Sequence, residues 1–370
     1  MKIRFLTQND VAEHNKVASQ AFVFACEIDD PDSVLPCPKV LGAFDDDDKT
    51  LFADLELQER KCFYDGGLLT CAAVGGVAAK PEHRGKGAVT ALFGHLFREN
   101  KYDISILYPF SESYYRRLGY ERAGFSLCAT VPFAELSRIP RNQDAVLYEG
   151  ADPEGMTAVY NRCAEQYNLC FVRETAAEFS ARPYATQSYT YLWKNRSFAT
   201  FSIDRGKSTV FVKELYFDSC ESMLGIVGFL RNFEANQKYV CFEALPDDAP
   251  LLRYIQDMKQ CEISLHAAGA VRIMNAQAVL KAHRYPPRDG AFTVRVGGEV
   301  YRVTHTARGV SVERNDRLPP EVSMDLARAS QALLCGLPDA VCCPGLTVHD
   351  PASDFFRCFP PKTTFFSDSL

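Results

Sequence analysis

From Leu69 to Phe97 the sequence changes character twice. Leu69–Ala79 is apolar and built of small residues, PEHRGKG (81–87) is basic and glycine-containing, and Val89, Leu92, Phe93, Leu96 and Phe97 then recur at i, i+3, i+4, i+7 and i+8. That last spacing lays a single apolar stripe along a helix. The predicted order is strand, tight turn, amphipathic helix.

The turn has chemical consequences. Gly75 and Gly76 allow another backbone to approach the strand closely, and Pro81 ends the strand's run of donors. Arg84, Gly85, Lys86 and Gly87 leave free N–H groups at the start of the helix, where the dipole favours an anion such as a pyrophosphate. Arg84 adds charge-assisted contacts. Ahead of the turn, an exposed strand edge can hydrogen-bond an extended amide chain. A pyrophosphate carrying an amide arm is the chemical description of coenzyme A. The other phosphate loops do not fit, because a Walker loop needs Gly-Lys-Ser/Thr and a dinucleotide fingerprint needs GxGxxG directly after the strand. Taken alone, the glycine turn still admits a purely structural reading.

The surrounding chain alternates helices and strands. Asn9 is a candidate cap for a helix whose apolar positions include Val11, Val17, Ala18 and Phe22, and the acidic, proline-containing stretch from Asp29 to Pro38 reads as a loop. Leu51–Leu57 and Cys62–Tyr64 read as strands around a charged turn, Gln58–Lys61. Ile104–Tyr108 is a strand stopped by Pro109, and Ser111 caps a short helix, SESYYRRL, that ends at Gly119. From Val131 to about His266 the pattern recurs: a helix at Pro153–Tyr167, strands at Ser188–Trp193, Phe198–Ile203 and Val210–Phe217, and a helix at Ser222–Asn236. Here FDSCESM (217–223) replaces the Arg/Gly turn. Beyond Ala267 come a strand Val271–Met274, a helix Asn275–His283, strands Phe292–Val296, Val300–Thr304 and Gly309–Glu313, a helix near Ser323–Leu334 and a proline-rich tail.

The run V-A-x-x-P-x-x-R-G-x-G, with Arg84 and Gly87 at the Arg-x-x-Gly positions, resembles motif A of the GNAT acetyltransferases. SESYYRRLGY, the second unit and the small last domain are similar to the enhanced intracellular survival (Eis) acetyltransferases. The resemblance spans essentially the whole chain. It implies an α+β protein of tandem GNAT folds, each a mixed sheet with flanking helices, plus a small α+β sterol-carrier-like domain. The divisions it implies are 1–130 for the acetyl-CoA-binding domain, 131–266 for a degenerate copy and 267–370 for the last domain. Val77, Ala78 and Ala79 would bind the pantetheine arm, and Arg84, Gly85, Gly87 and Ala88 the pyrophosphate. Val89 stands where many GNAT enzymes have Gly or Ala. Tyr115 matches the family's general acid, and the terminal carboxylate of Leu370 its base, although family members commonly end in Phe and this chain ends FFSDSL. A tyrosine with an ordinary pKa near ~10 is protonated at neutral pH and can donate to a leaving thiolate, each such acid or base contributing roughly 10²–10⁴-fold. The family also implies acetyl-CoA as cosubstrate, no metal, and a hexamer.

Composition limits the partners. With a net charge of −6 and no long Lys/Arg run, the 370-residue chain is not built to neutralise nucleic-acid phosphates, so cationic small molecules or basic peptides are the expected acceptors. Glu27, Asp29 and Asp30 are candidates for an acidic wall facing such an acceptor, beside a plain reading as a solvated loop. The 14 cysteines show no CxxC pair or zinc-like spacing and read as reduced thiols, mostly buried. No stretch looks able to span a bilayer, and a cytoplasmic protein is expected. His83 reads as a turn residue, Arg116 and Arg117 as partners of surface acids, and Trp193 as core. A non-catalytic acyl-CoA sensor or scaffold is the competing reading, distinguished by whether Arg84, Gly87 and Tyr115 act; a lipid-carrier role for the last domain would need an apolar groove.

Overall fold

The computed structural model describes residues 1–22, 39–46, 48–175, 178–179, 183–337, 344–365 and 368. Along the chain the first elements are β1 (Lys2–Phe5), α1 (Val11–Ala21), β2 (Lys39–Phe44), β3 (Leu51–Tyr64), β4 (Gly67–Ala79), α2 (Ala88–Arg98), β5 (Ile104–Leu107), α3 (Glu112–Arg116) and β6 (Glu121–Arg122). Next come β7 (Phe125–Pro132), β8 (Ala145–Leu147), α4 (Pro153–Ala164), α5 (Pro183–Thr186), β9 (Tyr189–Trp193), β10 (Ser197–Asp204), β11 (Thr209–Phe217), α6 (Cys220–Leu230), β12 (Tyr239–Pro246) and β13 (Glu262–Ala267). The last stretch carries β14 (Ala270–Ile273), α7 (Ala276–Ala282), β15 (Gly290–Val296), β16 (Glu299–Thr306), β17 (Gly309–Arg314), β18 (Val322–Met324), α8 (Leu326–Cys335), β19 (Leu346–Val348) and α9 (Phe355–Cys358). The fold is mixed α and β, as expected.

Packing groups these elements into two compact units that interleave along the sequence. One contains Met1–Ala123 with Gly269–Pro361, the other Gly124–Ala268 with the tail segment Lys362–Asp368. Residues 269–361, read from sequence as the start of a separate last domain, thus pack with the N-terminal sheet. In the first unit the seven-stranded sheet runs β1-β2-β3-β4-β5-β14-β6, and a five-stranded sheet runs β17-β16-β15-β18-β19. In the second unit the order is β13-β7-β12-β11-β10-β9-β8.

In the first unit's large sheet the two faces of β3 and β4 bury different helices. Leu55, Leu57 and Val74 pack with Leu92, Phe93 and Leu96 of α2. Val40, Phe44 and Ala78 pack with Val11 and Val17 of α1. The α2 stripe predicted from spacing is the face that is buried, with Leu92, Phe93 and Leu96 almost wholly enclosed. The second unit has its own core, in which α6 contributes Met223, Ile226, Val227 and Leu230 and Trp193 is buried as expected.

Several sequence-based boundaries move. The expected turn at Gln58–Lys61 is absent: β3 continues from Leu51 to Tyr64, paired to β4 throughout its far half. Its charges are accommodated at the strand's rim, where Glu59 meets Lys39 at 2.9 Å and Lys101 at 2.7 Å. Asp10, not Asn9, stands at the N-cap of α1. The helix expected from Pro153 to Tyr167 ends at Ala164, and the one expected over Ser222–Asn236 is α6 to Leu230 followed by a tighter 3-10 turn. Ser323 belongs to strand β18, and α8 starts only after Asp325, whose side chain accepts from the Arg328 N–H. The ten described cysteines are free thiols, six of them buried. Among the described residues no helix is long and apolar enough to cross a membrane.

Candidate functional site

β4 pairs with β5 only from Cys71 to Val74, against Ile104 to Leu107. From Gly75 to Ala79 β4 keeps β3 on one side, but among the described residues no strand flanks it on the other. The pairing with β3 is also irregular there. Asp54 faces Ala78 and Glu56 faces Gly75, so Gly76 and Val77 together oppose Leu55 in a bulge, and Gly76 has φ +51°. A bulge of this kind re-aims the backbone, and it leaves the outer edge of 75–79 as a strip of strand-like donors and acceptors.

That strip leads directly into the glycine turn. Gly85 (φ +74°) and Gly87 (φ +81°) are left-handed, a conformation a side chain would strain, and nothing stands within 4 Å of where a Cβ would project. Gly87 is the N-cap of α2, and no side chain caps the helix. Its first-turn N–H groups are therefore open to an anion. Arg84, Gly85, Lys86 and Gly87 are exposed and Ala88 is buried. Arg84 Nε donates to the Ala79 carbonyl at 3.4 Å, which keeps its guanidinium beside the end of β4. His83 stacks on Phe52 at 4.1 Å, in keeping with a turn-packing role. The expected cofactor residues Val77, Ala78, Ala79, Arg84, Gly85, Gly87 and Ala88 thus follow one another along the end of β4, the turn and the start of α2. The Ala78 side chain, however, points into the α1-side core, so only its backbone is available there.

After β5, Ser111 accepts the Tyr114 N–H and starts α3, as predicted. Tyr115 is 2% exposed and meets Phe93 of α2 edge-on at 5.9 Å, with Phe110 and Tyr120 at 5.6 and 6.0 Å. Burial, reinforced by Tyr114, pushes its hydroxyl well above the ordinary tyrosine value, so it holds its proton at neutral pH. Arg116 pairs with Glu121 at 2.6 Å and approaches Glu112 at 3.8 Å, as expected. Arg117 instead lies over the Tyr114 ring at 5.1 Å. Glu27, Asp29, Asp30 and Leu370 lie outside the described residues.

Sequence reasoning missed a polar cluster on the opposite, α1 face of the same strands. Asp54 is fully buried, and His14 Nδ1 bonds its Oδ2 at 2.8 Å. Asp54 Oδ1 has no partner among the described residues. Glu56, two residues on, leans over Gly76, where a Cβ would stand 2.5 Å from its Oε1. Burial raises both carboxyl groups. For His14 burial works against the charged form, but the bond to Asp54 outweighs it and the pKa rises. The available signal was the Asp-Leu-Glu alternation inside the otherwise apolar first half of the strand, Leu51–Leu57.

Elsewhere, His305, Asp354 and Cys358 bring three ligand-type atoms within 4.8 Å of one another. His305 Nε2 bonds Asp354 at 2.7 Å, Arg288 bonds the same carboxylate, and burial pushes the Cys358 thiol up to about 12. A neutral thiol beside a guanidinium-bound carboxylate is a poor cation cage, although His305 Nδ1 has no partner among the described residues. His305 belongs to this cluster, while His266 and His349 bond Ser264 and Ser323.

Residues 2–123 match the acetyltransferase (GNAT) domain family. No curated protein matches the chain in sequence. Among solved structures, an Enterococcus faecalis V583 protein described as a probable N-acyltransferase superposes with a TM-score of 0.85 at 14% identity, over 100% of this chain and 99% of the other. Eis1 from Mycobacterium abscessus superposes at 0.84 with 19% identity, over 100% of both chains. A GCN5-related N-acetyltransferase from Anabaena variabilis superposes at 0.83 with 18% identity, again over 100% of both. These likenesses establish a shared fold along the whole chain.

Proposed function

We propose that the protein transfers the acetyl group of acetyl-CoA to an amine by direct attack. The observation that carries this is the unpaired edge of β4 running into an uncapped, glycine-opened helix start, inside the segment that matches a GNAT domain. Val77, Ala78 and Ala79 offer backbone groups to the pantetheine amides, and Arg84, Gly85, Gly87 and Ala88 offer donors to the pyrophosphate. The amine nitrogen attacks the thioester carbon, the C–S bond breaks, and the sulfur takes its proton from Tyr115, whose burial keeps it protonated. By resemblance, the Leu370 carboxylate accepts the proton lost by the amine, and Glu27, Asp29 and Asp30 line the acceptor's approach. The negative charge of the chain and the Eis resemblance favour aminoglycoside-like polyamines or lysine side chains. The same resemblance supports a degenerate GNAT origin for the second unit, a sterol-carrier-like origin for the last segment, a hexamer and a cytoplasmic enzyme.

The test is acetyl-CoA-dependent thiol release against aminoglycosides, polyamines and lysine peptides. Tyr115→Phe is expected to lower kcat by about 100-fold with little change in acetyl-CoA binding. Deletion of Leu370 and its neighbours is expected to lower turnover as well. Acetyl-CoA binding with no release for any amine would favour an acyl-CoA sensor instead.

A further inference from the structure

The acetyltransferase reading leaves the polar cluster beneath the bulge without a task. Its members come from two elements: His14 and Glu13 from α1, and Asp54 and Glu56 from β3, with Lys80 at the end of β4. Lys80 is taken up by Glu13 at 2.7 Å. What remains is two carboxyl groups against one imidazole. His14 serves only one oxygen of Asp54, leaving Oδ1 sealed from solvent, and among the described residues neither that oxygen nor Glu56 has a hydrogen-bond or ion-pair partner. A buried acceptor atom without a donor is costly in an ordinary core, so such an arrangement points to a missing cationic donor.

The location says which donor. Glu56 overhangs Gly76, the middle of the β4 strip that has no strand beside it. Tyr115 belongs to the α2 face of the sheet and Asp54 with Glu56 to the α1 face. A thioester lying along the strip would have its proton donor on one face and two carboxyl groups on the other. We propose that Glu56, with the buried Asp54 carboxyl group behind it, seats an ammonium group of the acceptor against the Gly75–Gly76 backbone. His14 acts as a positioning residue, fixing the rotamer of Asp54. This deepens the acetyltransferase reading and rests on it for the place of the thioester. Because the seat needs Glu56 ionised and burial raises its pKa, acceptor binding is present above that raised value and lost as pH falls through it.

The experiment is calorimetric titration of the full chain with spermidine in the presence of coenzyme A. Glu56→Gln, an isosteric change, is expected to weaken spermidine by about tenfold or more, with Glu56→Asp between the two and acetyl-CoA affinity unmoved. Wild-type affinity for spermidine is expected to fall on acidification above the ordinary carboxylate range, and this acid limb to disappear in Glu56→Gln. Unchanged spermidine binding in Glu56→Gln, no binding to the wild type, or, should that variant not fold, a wild-type affinity flat between about pH 4 and 8 would each overturn the seat. Thiol release with a neutral arylamine but no spermidine binding would sink the seat and leave the transferase standing; tight, Glu56-dependent spermidine binding with no thiol release from any amine would do the reverse.

Discussion

Two β-α-β crossovers in this chain begin alike and end differently. In one, β4 and β5 pair in parallel over Cys71–Val74 and Ile104–Leu107; in the other, β11 and β12 pair over Thr209–Val212 and Tyr239–Phe242. In each, the first strand then runs on without its parallel neighbour and leads to a helix across the sheet. At the first crossover a glycine turn delivers α2 with an open N-terminus. At the second the turn is only Asp218–Ser219. Ser219 and Ser222 cap α6 reciprocally, and Asp218 accepts from the Ser222 hydroxyl while pairing with Arg196 at 3.2 Å. The donors an anion would use are thus spent, and a carboxylate stands in its place. The face of β11 that carries Glu214 and Tyr216 is also covered by the chain's own tail: Phe365 is buried against Tyr216 at 5.9 Å, and Asp368 pairs with Arg173 at 2.8 Å. One scaffold can therefore stay open for a ligand or close on itself, and the choice lies in a few turn residues.

The largest expected effect closes in on the covered crossover. Arg173 is 4% exposed and holds both Glu214 and Asp368. Arg173→Met removes the guanidinium that both enclosed carboxylates bond and should cost about 3–5 kcal/mol of stability, read by denaturant unfolding, with tail residues losing hydrogen-exchange protection first. Next, Gly87→Asp puts a carboxylate and a strained φ at the open helix start. Acetyl-CoA affinity should fall about 100-fold, near 2.7 kcal/mol, by calorimetry, and an unchanged affinity would break the contrast between the two turns. A smaller effect is expected from Ser219→Ala at the second turn, about 1 kcal/mol of stability lost with acetyl-CoA affinity untouched; a change in affinity would mean that the second turn also binds. The smallest concerns pH. Although burial works to raise Asp218, its bonds to Arg196 and Ser222 outweigh that and hold it below the ordinary carboxylate range. Its stabilisation is therefore present above that range and lost as pH falls below it. Asp218→Asn should flatten the acid limb of thermal stability slightly, and an identical limb would show that the acid sensitivity resides elsewhere.

Legibility followed sequence distance. The β4-turn-α2 segment, Ser111 capping α3, and the absence of an open turn at 217–223 depend on neighbouring residues and were read directly. The continuity of β3 through Gln58–Lys61 was not, because the partners that accommodate Glu59 come from Lys39 and Lys101, two other elements. The His14–Asp54 pair joins residues 40 positions apart and carries no motif. Nor could periodicity foresee that β14 enters the first sheet, since strand pairing across 160 residues leaves no local trace.

That last pairing bears on how the protein is made. β14 lies between β5 and β6 and bonds to both, Ala270–Ile273 against Leu107–Ile104 and Ala270–Val271 against Arg122–Glu121. A ribosome delivers Glu121 long before Ala270, so during synthesis the emerging N-terminal sheet has an unfilled slot, with the exposed edge of β5 free to recruit a stray strand. Residues 2–123, the segment that matches the acetyltransferase domain, thus lack one strand of their own sheet, which is encoded far downstream.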